Sequence, residues 1–274
     1  MRQHPSARLL TILGTVFVVL FSLGPLLPAL LVSLSRTGTL VSFPALSLTL
    51  DHYRTVLSSP TLKFGRALGN AVLLSLTASL LAVGTALLGA FALRLLPPRR
   101  RPFLLLSVLA LSLFPQISII GALYRAYSNL GLINVLLALA PPYAALFLPL
   151  VLWLLHALLQ TVPRELDEAA RVDGAGDTTI LARILVPLSL PGILSAFLLV
   201  FVQGFNEFLY ALMLLVDPNA RTVSVAIAMF EGLHGRIPWG ETMAAAVIAS
   251  LPAVLLALFC QKWIIAGLTK GAVK

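Results

Sequence analysis

The acidic residues are distributed unevenly. Five of the ten fall between positions 165 and 177: Glu165, Asp167, Glu168, Asp173 and Asp177. Glu207 stands alone, the only charge in the apolar stretch 184–216. A polar run of carboxylates suits ion pairing with a basic partner. A lone carboxylate in an apolar helix costs a few kcal/mol and belongs in a bundle interior or a wet cavity. Other chemistry has little support. The four histidines, His4, His52, His156 and His234, are far apart and lack ligand spacing, so no metal site is expected. Cys260 is the single cysteine and sits in an apolar run, which fits a buried structural thiol. There is no HExxH, no nucleophile elbow and no GxxxxGK(S/T) phosphate loop. The chain is therefore expected to be neither an enzyme nor its own ATPase, and to bind no cofactor itself.

The elements that position these residues are apolar helices. The 274 residues are 59% hydrophobic and 11% charged, with mean hydropathy +1.00. Soluble domains carry about 25% charged residues, so this composition points to lipid as the solvent. The net charge of +9 does not indicate nucleic acid. The Lys and Arg residues cluster between apolar runs, where they anchor helix ends. About 20 apolar residues span a bilayer. The charge-free stretches predict six spans, at about 9–33, 69–93, 102–124, 141–160, 189–214 and 243–264, in a single domain over 1–274. Pro141 and Pro142 suit the first turn of the fourth span, and Gly131–Leu139 before it reads as a short interfacial helix. Cytoplasmic assignment of both termini places twelve of the 19 Lys and Arg inside, with Arg99, Arg100 and Arg101 deciding the matter.

The acidic stretch then lies on the cytoplasmic side, in a loop over 161–188. Glu165, Asp167 and Glu168 occupy early turns, where carboxylates favour the helix dipole. Leu166, Ala169 and Ala170 share one face at i, i+3 and i+4. Gly174 stops the helix. Asp177 is placed to cap a second helix carrying Ile180, Leu181, Ile184 and Leu185, which Pro187 ends. A helix–turn–helix with one apolar side results. On these grounds alone it is equally a connector resting on the membrane surface.

The same segment resembles the EAA loop of ABC importer permeases. Glu168-Ala169-Ala170 is followed after three residues by Gly174, and nine residues later by Ile184, Leu185, Val186 and Pro187. Val186 stands where that pattern has Leu. The resemblance extends to the MalG-type permeases of carbohydrate importers through Asn70, Gly89–Arg94, Phe114-Pro115 and Gly131–Asn134. It also covers Phe205–Leu209, which is similar to WN(D/E)FL, and the tail Gly267–Lys274. Residues 1–66 match loosely. The resemblance implies a type I ABC importer permease fold in the bacterial cytoplasmic membrane. It implies a second, MalF-like permease subunit, two ATPase subunits that bind ATP and Mg, and an extracytoplasmic sugar-binding protein. The cargo implied is a di- or oligosaccharide such as maltose or trehalose.

Site roles follow from the resemblance. Coupling to the ATPase falls to Glu168, Ala169, Ala170, Asp173, Gly174, Ile184 and Pro187. Gln203, Asn206, Glu207 and Tyr210 are candidates for the substrate pathway, with a structural hydrogen bond as the competing role for Glu207. Arg221, Glu231, His234 and Trp239, in the outer loop 215–242, are candidates for contact with the binding protein. The alternatives are a permease of the same class with another cargo, such as glycerol phosphate, a polyamine or an amino acid, and a secondary transporter. The latter predicts inverted repeats and interrupted helices.

Overall fold

The computed structural model describes residues 5–37, 47–232 and 237–272. Among these the chain is helical, with one isolated antiparallel bridge between Ser35 and Leu48. In chain order the helices are α1 (Pro5–Leu23), α2 (Leu26–Leu34), α3 (Asp51–Ser58), α4 (Phe64–Leu95), α5 (Arg101–Leu111), α6 (Gln116–Asn129) and α7 (Ala140–Gln160). They continue with α8 (Glu165–Val172), α9 (Asp177–Ile180), α10 (Val186–Phe205), α11 (Leu209–Leu214), α12 (Val223–Ala228) and α13 (Trp239–Ala272). A π-helical turn at Leu181–Leu185 joins α9 to α10.

Among the described residues, four helical runs are long and apolar enough to cross a membrane: 64–95, 136–160, 177–205 and 239–263. Two bent pairs, α1 with α2 and α5 with α6, bring the number to six if each pair is one span. The expectation of a single helix over 102–124 is corrected, because α5 and α6 meet at a bend of 76°. Pro115, which precedes α6, has no N–H to continue the helix. The first span bends by 40° at Gly24-Pro25 for the same reason.

Contacts divide the chain into two compact units, residues 1–65 with 226–251 and residues 66–225 with 252–274. In the first, the Tyr53 hydroxyl lies 2.7 Å from the Ser33 hydroxyl, and His52 bridges the Ser35 carbonyl (2.9 Å) and the Glu241 carboxylate (3.3 Å).

The second unit holds the bundle core. The buried side of α4 carries Ala67, Ala71, Ser75, Ala78, Ser79, Ala82, Ala86 and Ala90, all at most 1% exposed. Spacings of three and four residues put these small side chains on one stripe, and small residues let helices approach closely where lipid supplies no hydrophobic drive. Val151, Leu155 and Leu159 of α7 and Ala196 and Val200 of α10 complete that core. α7 and α10 approach so closely at Gly192 that a Cβ there would lie 2.5 Å from Leu158 Cδ2.

Gly192→Ala is therefore expected to lower the melting temperature of the detergent-purified protein by the equivalent of about 1–2 kcal/mol. Adding Leu158→Ala should restore part of that loss, and thermal unfolding of the single and double variants checks both.

Candidate functional site

The acidic segment folds as a tight hairpin. Three carboxylates in the first turn of α8 complement its dipole. The helix ends in a Schellman motif: Ala175 N–H donates to Ala170 O (2.9 Å) and Gly174 N–H to Arg171 O (3.0 Å). Gly174 has φ +82°, a left-handed conformation that disfavours a side chain. Arg171 then reaches across the turn to Asp177 Oδ1 at 2.6 Å. Asp177 thus pairs with Arg171 instead of capping α9, whose N-cap is Gly176.

Two further details of the hairpin differ from expectation. Pro187 does not end the second helix, because the chain runs helically from Asp177 to Phe205. The π-helical turn precedes Pro187, which falls in the first turn of α10, where its missing N–H does no harm. The apolar residues of the hairpin also divide. Ala170 and Ala175 pack against the core with Ile180, Leu181 and Leu185. Leu166, Ala169 and Val172 are exposed, Val172 at 88%, beside the exposed Glu168 and Asp173. Ile184 is half-buried and Pro187 exposed.

A buried cation fixes the start of the hairpin. Arg94, in the last turn of α4, is 3% exposed. Its Nε donates to Asp167 Oδ2 at 2.7 Å. Its two Nη atoms donate to the carbonyls of Leu159, Val162 (3.0 Å) and Pro163 (3.3 Å). Leu159 lies in the last turn of α7, where carbonyls lack a partner within the helix and a cation is favoured, and Val162 and Pro163 lie in the link from α7 to α8. Arg101 and Arg164 in turn donate to the Arg94 carbonyl, at 3.1 and 3.4 Å. An open cleft of about 350 Å³ lies alongside, lined by side chains of both charges, including Arg94, Arg164, Glu168 and Arg171.

Glu207 belongs to a second polar cluster. α10 stops at Phe205, so the expected span 189–214 is broken at Asn206–Phe208. The Glu207 carboxylate accepts the Tyr143 hydroxyl (2.5 Å) and the N–H groups of Tyr210 (2.9 Å) and Ala211 (3.2 Å) in the first turn of α11. Ser224 donates to the Glu207 carbonyl at 2.9 Å. The carboxylate is thus buried and hydrogen-bonded. Tyr210 is buried beside Tyr143, with ring centroids 6.5 Å apart, while Gln203 and Asn206 are exposed. The four pathway candidates therefore do not line one surface.

Nearby, the Asn70 amide donates to the carbonyls of Asn219 (2.9 Å) and Arg221 (3.0 Å). Asn134, at φ +65°, accepts the Asp217 N–H on its Oδ1 at 2.8 Å and donates its own N–H to Leu214 O at 2.9 Å. Two sequence-distant segments thus hold the loop after α11. Arg221 donates to Val216 O (3.0 Å) inside that loop, and Trp239 is half-exposed at the start of α13. Glu231 lies in a 3₁₀ turn, Met229–Gly232, and His234 lies outside the described residues.

Sequence reasoning missed the partners in both clusters, Arg94 with Asp167 and Tyr143 with Glu207. Arg94 and Tyr143 interrupt apolar runs, and a polar group in such a place must find a partner. Which partner it finds depends on the packing.

Several long apolar helices, bent at prolines and tied at their ends by buried polar groups, define a multi-pass membrane protein. The sequence profile described as "Binding-protein-dependent transport system inner membrane component" matches residues 85–270. The chain is 42% identical to the trehalose/maltose transport system permease protein MalG of Thermococcus litoralis, over all of this chain and 99% of that one. It is 33% identical to the trehalose transport system permease protein SugB of Mycobacterium tuberculosis over 94% of each. Its fold matches a chain from the crystal structure of a bacterial ABC transporter involved in import of the acidic polysaccharide alginate. That match has TM-score 0.74 and 19% identity, and covers 96% of this chain and 99% of that one. The chain belongs to the family of inner-membrane components of binding-protein-dependent transport systems, and its fold is that of an ABC importer permease.

Glu207→Ala would leave a phenol and two backbone N–H groups without their acceptor. It is expected to destabilise the purified protein by about 2–4 kcal/mol, against about 1 kcal/mol for Tyr143→Phe. Thermal unfolding in detergent checks the ranking, and an unchanged midpoint for Glu207→Ala would contradict the capping role.

Proposed function

We propose that this chain is one of two permease subunits of an ATP-driven importer for a disaccharide or short oligosaccharide of the trehalose and maltose type. The names of the two relatives, at 42% and 33% identity over nearly full length, support that cargo. In this reading a second permease subunit completes the pathway, two ATPase subunits bind ATP and Mg, and an extracytoplasmic binding protein delivers the sugar. Both termini are cytoplasmic, as the Lys/Arg bias favours.

The observation that carries the reading is the exposed side of α8. Leu166, Ala169 and Val172 form an apolar strip flanked by Glu168 and Asp173, on a hairpin whose other side is locked into the core. A short helix with large apolar groups in water and a rigid base suits a docking element. An ATPase that closes on ATP shifts this helix as a rigid body, and the bundle passes between two packed arrangements. Glu207 serves as a cap in this account and does not touch sugar. Arg221, Glu231, His234 and Trp239 remain the candidates for contact with the binding protein.

Val172→Cys in the assembled transporter is expected to form a disulfide with a cysteine introduced in a helix-accepting groove of the ATPase subunit. No cross-link to any site on that subunit would sink the reading. Gly174→Pro fixes φ near −65° where the turn needs +82°. It is expected to leave the chain inserted and to lower sugar uptake at least about tenfold, whereas normal uptake by that variant would count against the hairpin's role.

A further inference from the structure

The Arg94 guanidinium joins three elements at one point. It belongs to the last turn of α4, donates to the Leu159 carbonyl in the last turn of α7 and to the Val162 carbonyl in the link after it, and pairs with Asp167 in the first turn of α8. All four interactions are directional, and Arg94 Nε to Asp167 Oδ2 is 2.7 Å with the two side chains 2% and 13% exposed. A guanidinium suits this place because its planar fork presents several donors in fixed directions, whereas an ammonium is a point charge on a flexible stem. A second layer stiffens the joint, since Arg101 and Arg164 both hold the carbonyl of Arg94 itself. Hairpin and bundle also meet through apolar contacts of Ala170, Ala175, Ile180 and Leu185, while the exposed Arg171–Asp177 pair ties α8 to α9 within the hairpin itself. Exposed pairs are worth under about 1 kcal/mol. Apolar contacts let elements slide, while a buried, directional charge pair whose guanidinium is also held by three carbonyls resists shear.

We propose that Arg94 and Asp167 are positioning residues for energy coupling: they form the rigid joint that carries displacement of α8 into α4 and α7. The proposal rests on the reading of α8 as the ATPase-docking helix. Neither residue touches sugar or nucleotide. Their effect is to make the hairpin and two spans move together. Without the joint, α8 still docks and the ATPase still turns over, but the hairpin slides against the bundle and hydrolysis no longer moves it.

The test uses the complete transporter in proteoliposomes with its binding protein, carrying Arg94→Lys, Asp167→Asn or both. Sugar uptake and ATP hydrolysis are measured on one preparation. Arg94→Lys keeps the positive charge and loses the fork. Asp167→Asn leaves every Arg94–carbonyl bond in place, so it retains the fold if the lysine variant does not. The expected result is normal assembly, hydrolysis within about twofold of the parent, and sugar moved per ATP reduced about tenfold in each single variant. The double variant is expected to be no worse than the poorer single, because both break one joint. An unchanged ratio in both single variants overturns the proposal. So does a parallel fall of uptake and hydrolysis with a lowered melting temperature, which marks a purely structural ion pair. Cross-linking of Val172→Cys to the ATPase in the same membranes separates the two claims. A normal cross-link with an unchanged ratio sinks the joint alone, and absence of any cross-link in the parent sinks the docking reading beneath it.

Discussion

A polar group that enters the apolar bundle is costly unless it is paired inside the protein, and this constraint organises the helix ends. In hydrocarbon an unpaired N–H or C=O costs several kcal/mol, so helix ends are the weak points of such a chain. Here two buried side chains solve that problem. Arg94 collects the Leu159 carbonyl at the end of α7 with two more in the link after it, and Glu207 collects N–H groups at the start of α11. The signs follow the dipoles, with a cation at a C-terminus and an anion at an N-terminus. Each side chain also gains a distant partner, Asp167 for Arg94 and Tyr143 for Glu207. Local helix-end chemistry thereby becomes long-range fixing of one element on another.

The consequences spread from these points. At one end of α4, Arg94 lets a short acidic helix sit rigidly at the edge of the bundle while its outer side stays exposed. Near the start of the same helix, Asn70 holds the loop that follows α11, and Asn134 holds it from a second side. The two sets are separated by 24 residues of α4, or about 36 Å of helix. Between them runs a stripe of alanine and serine that lets α4 pack closely in the core. Stiff ends and a smooth middle suit a helix that transmits movement along its length.

Much of this was legible in the sequence. The acidic run, Gly174 and the apolar residues after it specify a hairpin, and Gly174 adopts the positive φ its position requires. Pro141-Pro142 marks the start of α7. The family resemblance rested on short motifs, several of which have physical roles in the structure. Gly131 and Asn134 both take positive φ in the turn before α7, and Glu207 closes a helix break. The breaks themselves were less legible. A charge-free run reads as one span whether or not it bends, so the 76° turn at Ser112–Pro115 and the interruption at Asn206–Phe208 were hidden by uniform hydropathy. Pro187 misled in the opposite direction. A proline after an amphipathic stretch reads as a stop, yet the π-helical turn before it lets the helix continue. The partners of Arg94 and Glu207 lie 73 and 64 residues away and follow only from packing.

The central claim is that a separate ATP-hydrolysing subunit grips the exposed side of α8. Amide hydrogen exchange on the permease subunits alone and on the complete transporter measures this directly. The account predicts slowed exchange over residues 165–175 when the ATPase subunits are present, with residues 217–222 unchanged by them. Equal exchange over 165–175 in both samples, with new protection confined to other segments, would contradict it.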